Sequence, residues 1–146
     1  MEENIKFSFQ KVNIKNSANI QALSLAYIGD SIYDIMSREY MMTYHIGKIN
    51  DLHKLVSGMV SAKAQAKFMQ SILENNILTE EEVAIYKRAK NQKNNSKAKN
   101  ASIMEYKLAT GLEAVFGYWY LEKNFLRLEQ VFTYIINEYE KSGEKI

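Results

Sequence analysis

Two acidic residues stand where acids are expensive. In the run Ala26-Tyr27-Ile28-Gly29-Asp30-Ser31-Ile32-Tyr33, Asp30 is the only charge among apolar and aromatic neighbours. In Leu112-Glu113-Ala114-Val115-Phe116-Gly117-Tyr118-Trp119-Tyr120-Leu121, Glu113 is the only charge in a still more apolar stretch. A carboxylate in such company is costly unless a partner or a metal ion compensates it. Hard divalent cations such as Mg²⁺ take oxygen ligands and keep several waters, so one or two protein carboxylates suffice. A cation held that way serves phosphodiester hydrolysis, because it polarises the phosphoryl oxygen, acidifies the attacking water and neutralises the leaving oxygen. Asp30 and Glu113 are therefore the candidate catalytic and metal-ligating residues, and Asp34, one turn beyond Asp30, is a candidate outer contact. The competing reading is a hydrogen bond from each acid to a tyrosine hydroxyl or a helix end. Spacing alone does not bring the two acids together.

Other chemistry finds less support. His45 and His53 lack metal-ligand spacing, and Ser24 and Ser31 have no histidine nearby to activate them. Two basic stretches carry no acid. One contains Lys54, Lys63 and Lys67; the other contains Lys87, Arg88, Lys90, Lys93, Lys97 and Lys99, interspersed with Asn91, Gln92, Asn94, Asn95 and Ser96. Such residues neutralise nucleic-acid phosphates and bond sugar or phosphate oxygens. A solvated surface accounts for the same pattern. The net charge of +2 does not by itself identify a partner.

The elements that must position these residues read as helices. Proline is absent, glycine occurs six times, and helix formers are abundant. Ile5, Phe7 and Phe9 alternate with polar residues as in a short extended arm. Ser17 is placed to cap a first helix running to about Tyr40. A turn around Gly47 follows, with Asn50 as the next cap, and the stretch from Asp51 to Asn75 is helical with Gly58 as a point of division. Thr79-Glu80-Glu81-Glu82 has the capping-box pattern. A basic loop leads to a helix from Ser102 through Glu113 to about Glu122, and a last amphipathic helix covers Leu126 to Lys141. At helical positions amid Leu, Val and Phe, the aromatic residues Tyr118, Trp119 and Tyr120 read as core or dimer contacts.

At 146 residues the chain is expected to form a single domain over 1–146, with an N-terminal arm over 1–16 and a frayed tail over 142–146. It lacks cysteine, which excludes disulfides and thiolate metal sites and suits a reducing, cytoplasmic setting. No apolar run approaches the roughly 18 residues of a membrane span, and the acidic start Met1-Glu2-Glu3-Asn4 is unlike a signal peptide.

The segment Leu23 to Asp30 followed by Ser31 resembles the signature helix of ribonuclease III, which ends in Gly-Asp-Ser/Ala. Glu113-Ala114-Val115-Phe116-Gly117 is similar to that family's second acidic motif. Asn50-Asp51-Leu52-His53-Lys54, Val60-Ser61-Ala62-Lys63-Ala64-Gln65-Ala66, Thr79-Glu80-Glu81-Glu82, Lys87-Arg88 and Gly117-Tyr118 with Tyr120-Leu121-Glu122-Lys123 resemble its Mini-ribonuclease III branch, which lacks an appended double-stranded RNA-binding domain. The resemblance implies an all-α helical bundle acting as a homodimer, with Tyr27 inserted into the partner subunit. It implies a Mg²⁺-dependent endoribonuclease of double-stranded RNA, leaving 5′-phosphate and 3′-hydroxyl ends and maturing large-subunit (23S) ribosomal RNA precursor. A ribosomal protein that holds the RNA is a further implied partner. Asp30 and Glu113 match two of the four family acids; Ala26 and Thr110 stand where the other two would be. That pattern is itself Mini-ribonuclease III-like. It also keeps an alternative open, a catalytically silent ribonuclease III-like domain that binds RNA.

Overall fold

The computed structural model of the chain describes residues 4–9, 14, 16–45, 47–92 and 101–143. These form six α-helices and no strand: α1 (Ala22–Tyr44), α2 (Ile49–Val60), α3 (Ala62–Glu74), α4 (Glu80–Lys90), α5 (Ile103–Leu121) and α6 (Phe125–Lys141). A 3-10 turn, Ser17–Asn19, precedes α1.

The bundle is organised around α5. Between Leu108 and Trp119 only Glu113 and Tyr118 are less than fully buried, so this helix is apolar on nearly every side and must be enclosed by others. Helices α1, α3 and α4 enclose it, and α6 closes the bundle along its amphipathic face. Tyr33 from α1 meets Phe116 of α5 edge to face at 5.2 Å, and its hydroxyl donates to the Met59 carbonyl at 2.9 Å, joining three helices in one contact.

Two helices start as the capping-box pattern dictates. The Thr79 N–H donates to Glu82 Oε1 at 2.9 Å while Thr79 Oγ1 accepts from the Glu82 N–H at 3.2 Å. Ser102 and Glu105 form the same reciprocal pair ahead of α5. Such caps satisfy N–H groups that a helix start leaves unpaired.

Three boundaries differ from the sequence-based expectation. Ser17 does not cap α1; it is buried in the 3-10 turn, its hydroxyl donates to Glu122, and α1 begins five residues later after Gln21. Asn50 lies inside α2, whose cap is Lys48. The division of the 51–75 stretch falls at Ser61, not Gly58, which stays helical. Ser61 supplies what Gly58 lacks: a side-chain oxygen, which accepts from the Ala64 N–H at 3.2 Å and starts a new helix. Ile5, Phe7 and Phe9 are non-helical and exposed. The basic stretch is helical as far as Lys90, while Lys93, Lys97 and Lys99 lie outside the described residues. Of the expected tail, Ser142 and Gly143 form a turn after α6.

Candidate active site

Helices α1 and α5 touch backbone to backbone. A Cβ on Gly29 would lie 1.6 Å from the Glu113 carbonyl oxygen, and one on Gly117 would lie 2.0 Å from the Leu25 carbonyl oxygen. No side chain fits at either position, so the pair of glycines sets the depth of the crossing. Asp30 and Glu113 each sit next to this contact. The crossing therefore aims two acids, remote in sequence, at one place.

There the two carboxyl groups meet. Burial, then the negative charge of Asp30 and a hydrogen bond shared with it, push the Glu113 carboxyl up to about 8 from 4.5; a bond from Gln65 only partly offsets this. Asp30 is exposed and Glu113 half-buried, so the pair has one face toward solvent and one toward the core. The tyrosine-hydroxyl alternative fails for Tyr33, whose hydroxyl is committed to Met59. Glu113 raises the Tyr33 phenol further, after burial itself, without being bonded to it.

Gln65, from the first turns of α3, is the nearest neutral support. Its Nε2 donates to Glu113 Oε2 at 3.3 Å and to the Val60 carbonyl at 2.9 Å. Val60 ends α2, so its carbonyl is among those a helix C-terminus leaves open. Gln65 was not singled out by sequence as a site residue. The signal was present: it is the one uncharged polar side chain on the inward face of an alanine-rich turn.

The positions of the two absent acids are filled by inert groups. Ala26 is buried one turn before Asp30, and the Thr110 hydroxyl is spent on the Tyr106 carbonyl at 2.9 Å. Asp34 pairs with Arg38 at 3.0 Å on the outer face of α1. Among the described residues no cluster of three or more His, Cys, Asp or Glu could hold a metal ion. Among the described residues, Asp30 and Glu113 are the carboxyl groups that meet here.

A second inward acid lies elsewhere and is treated differently. Glu82 Oε2 accepts from Trp119 Nε1 and Arg127 Nε, both at 2.9 Å, and its Oε1 accepts from Arg127 Nη2 at 2.8 Å. Burial pushes its carboxyl up, but Arg127, the Thr79 N–H and Trp119 outweigh this and leave it below the usual carboxylate range.

The remaining site residues scatter. Lys54, Lys63 and Lys67 are exposed along α2 and α3, and Lys90 is half-buried at the end of α4. Arg88 is half-buried and donates to the Ile20 carbonyl at 3.0 Å, which ties its head to the start of α1. Tyr27 is 82% exposed one turn from Leu23, also exposed, and one helical step from the carboxyl pair. Trp119 is buried, as expected for core.

The ribonuclease III domain family matches residues 23–124, from the start of α1 to the end of α5. Mini-ribonuclease 3 of Enterococcus faecalis is 40% identical over 132 residues, covering 90% of this chain and all of its own. That of Clostridium tetani is 42% identical over 137 residues, covering 93% and 87%. The chain belongs to the Mini-ribonuclease 3 branch of the ribonuclease III family. A crystal structure of a Fusobacterium nucleatum protein superposes with a TM-score of 0.74 at 35% identity, over 82% of this chain and 95% of that one. The all-helical architecture is thus that of a ribonuclease III domain, a family of metal-dependent, RNA-cleaving endonucleases. No helix among the described residues is long and apolar enough to cross a membrane.

Proposed function

We propose that this endoribonuclease cleaves double-stranded RNA with Mg²⁺ held by Asp30 and Glu113, and that it matures the ends of large-subunit (23S) ribosomal RNA precursor in the cytoplasm. The observation that carries the reading is the meeting of two carboxyl groups that, among the described residues, form no ion pair with a basic side chain. With Glu113 half-buried against the core, two facing charges are unfavourable unless a proton or a cation separates them. The donor set fits Mg²⁺: hard oxygen ligands, few in number, with room for water and phosphate at the exposed Asp30 side. A bound cation supplies charge neutralisation at phosphorus and acidifies the attacking water.

The chain's own residues do the rest. Glu113, anchored in α5, gives the fixed half of the site, and Asp30 gives the half that faces RNA. Gly29 and Gly117 hold the distance between them. Duplex RNA is read mainly through shape, 2′-hydroxyls and phosphates. Lys54, Lys63, Lys67 and Lys90 supply cations for that purpose, joined by Lys93, Lys97 and Lys99; Arg88 contributes less, since its guanidinium already serves the Ile20 carbonyl. Exposed apolar Tyr27 and Leu23 support a homodimer with this face of α1 against its partner. A ribosomal protein remains a partner in this reading, as a holder of the RNA.

The decisive test is cleavage of a perfect RNA duplex with and without Mg²⁺ by wild type and Asp30→Asn. Loss of cutting in a folded Asp30→Asn variant is expected. Undiminished cutting by that variant, or by wild type in excess chelator, ends the proposal.

A further inference from the structure

Gln65 carries a feature that the carboxyl pair alone does not explain. Its side chain is buried, with 2% exposure, and its nitrogen makes two bonds, yet its Oε1 meets no donor among the described residues. Buried carbonyl oxygens are nearly always paired, and an orphan points to a missing water or ion. This one belongs to an amide whose other end touches Glu113. The Val60 carbonyl, freed by the break at Ser61, fixes the amide's orientation, so the whole group is held in place by the end of α2.

We propose that Gln65 is a positioning residue for the metal centre: its amide nitrogen, braced on the Val60 carbonyl, holds the Glu113 carboxylate toward Asp30, and its unpaired oxygen accepts a hydrogen bond from the water around the bound cation. The inference rests on the reading of Asp30 and Glu113 as Mg²⁺ ligands. Second-layer groups of this kind orient ligands, and their loss typically costs about 10- to 100-fold in metal affinity. Bracing is also what an elsewhere under-supplied site needs. With two carboxylates rather than four, each ligand's direction weighs more in holding the ion.

The test uses Gln65→Leu and Gln65→Met, which keep the bulk and remove both polar atoms. Melting temperature in chelator should fall only modestly, because loss of the donor to the Val60 carbonyl and Glu113 is partly offset by removal of a buried unpaired acceptor. Mg²⁺ titrated alone, followed by calorimetry, should bind about 10- to 100-fold more weakly. Cleavage should then recover toward wild type as Mg²⁺ is raised, with the maximal rate less affected than the Mg²⁺ half-point. A folded variant whose Mg²⁺ half-point matches wild type overturns the proposal. A measurement on wild type needs no variant: the Gln65 side-chain amide resonances should shift on adding Mg²⁺. Unmoved resonances while wild type binds Mg²⁺ reject the role of Gln65 alone, whereas failure of wild type to bind Mg²⁺ rejects the metal site beneath it.

Discussion

Glu82 and Glu113 are both inward-facing glutamates on helices of one bundle, and their surroundings are opposite. Glu82 sits under Arg127, with Trp119 and the Thr79 N–H completing its bonds. Glu113 faces Asp30, with the Gln65 amide as its modest support. The first acid is charged and finished, so it holds the fold. The second is unfinished by the chain and is raised to about 8 by burial and its acidic neighbour. A buried carboxylate that the protein neutralises itself serves architecture; one that is left to hold a proton is the candidate to exchange it for a cation.

The sharpest way to break this contrast is exchange of each carboxylate for an amide. Glu113→Gln should lower cleavage by about a thousandfold or more while leaving the protein folded, because several kcal/mol of charge stabilisation are lost. Glu82→Gln should do the reverse, leaving the turnover of folded enzyme unchanged and costing about 3 kcal/mol of stability by stranding Arg127, measured by urea unfolding. Equal effects of the two variants on activity would remove the distinction. Next in size is the crossing: Gly29→Ala should cost about 3 kcal/mol or more by forcing α1 from the Glu113 carbonyl, and should lose cleavage with it.

The pH response should separate the two acids by sign. In chelator, Glu113 takes up protons on folding between 4.5 and about 8, so its contribution to stability is present below 4.5 and lost as pH rises toward 8. Glu82, held below 4.5 in the native state, contributes above its unfolded value and loses that contribution as pH falls through its folded value. Melting curves of wild type against Glu113→Gln should therefore diverge most on the alkaline side, and Mg²⁺ should close the gap. Smallest is the effect of single surface cations: replacing Lys54, Lys63 or Lys67 singly should reduce the salt dependence of RNA binding by about one unit of log–log slope where that lysine meets a phosphate.

Much of this was legible beforehand. Helix content follows from the missing proline, and the capping box of α4 follows from Thr79 with Glu82 three residues on, whereas the matching box of Ser102 and Glu105 emerges only in the structure. The close approach of α1 and α5 was foreshadowed by Gly29 and Gly117. The break at Ser61 rather than Gly58 also has a local signal, because a serine hydroxyl caps the N–H three residues on and glycine has no such oxygen. What the sequence does not show is that Arg88 reaches back to Ile20, or that Glu82 gains Arg127 beyond its cap. Those are contacts between segments far apart in the chain, which local patterns do not encode.

The glycine contact between α1 and α5 has a last consequence for how the enzyme fails. Where backbones touch, no compliant layer separates the reactive groups from the framework. Warming is expected to loosen the Asp30–Glu113 pair and the bundle together, so the inactivation temperature and the global melting temperature should coincide.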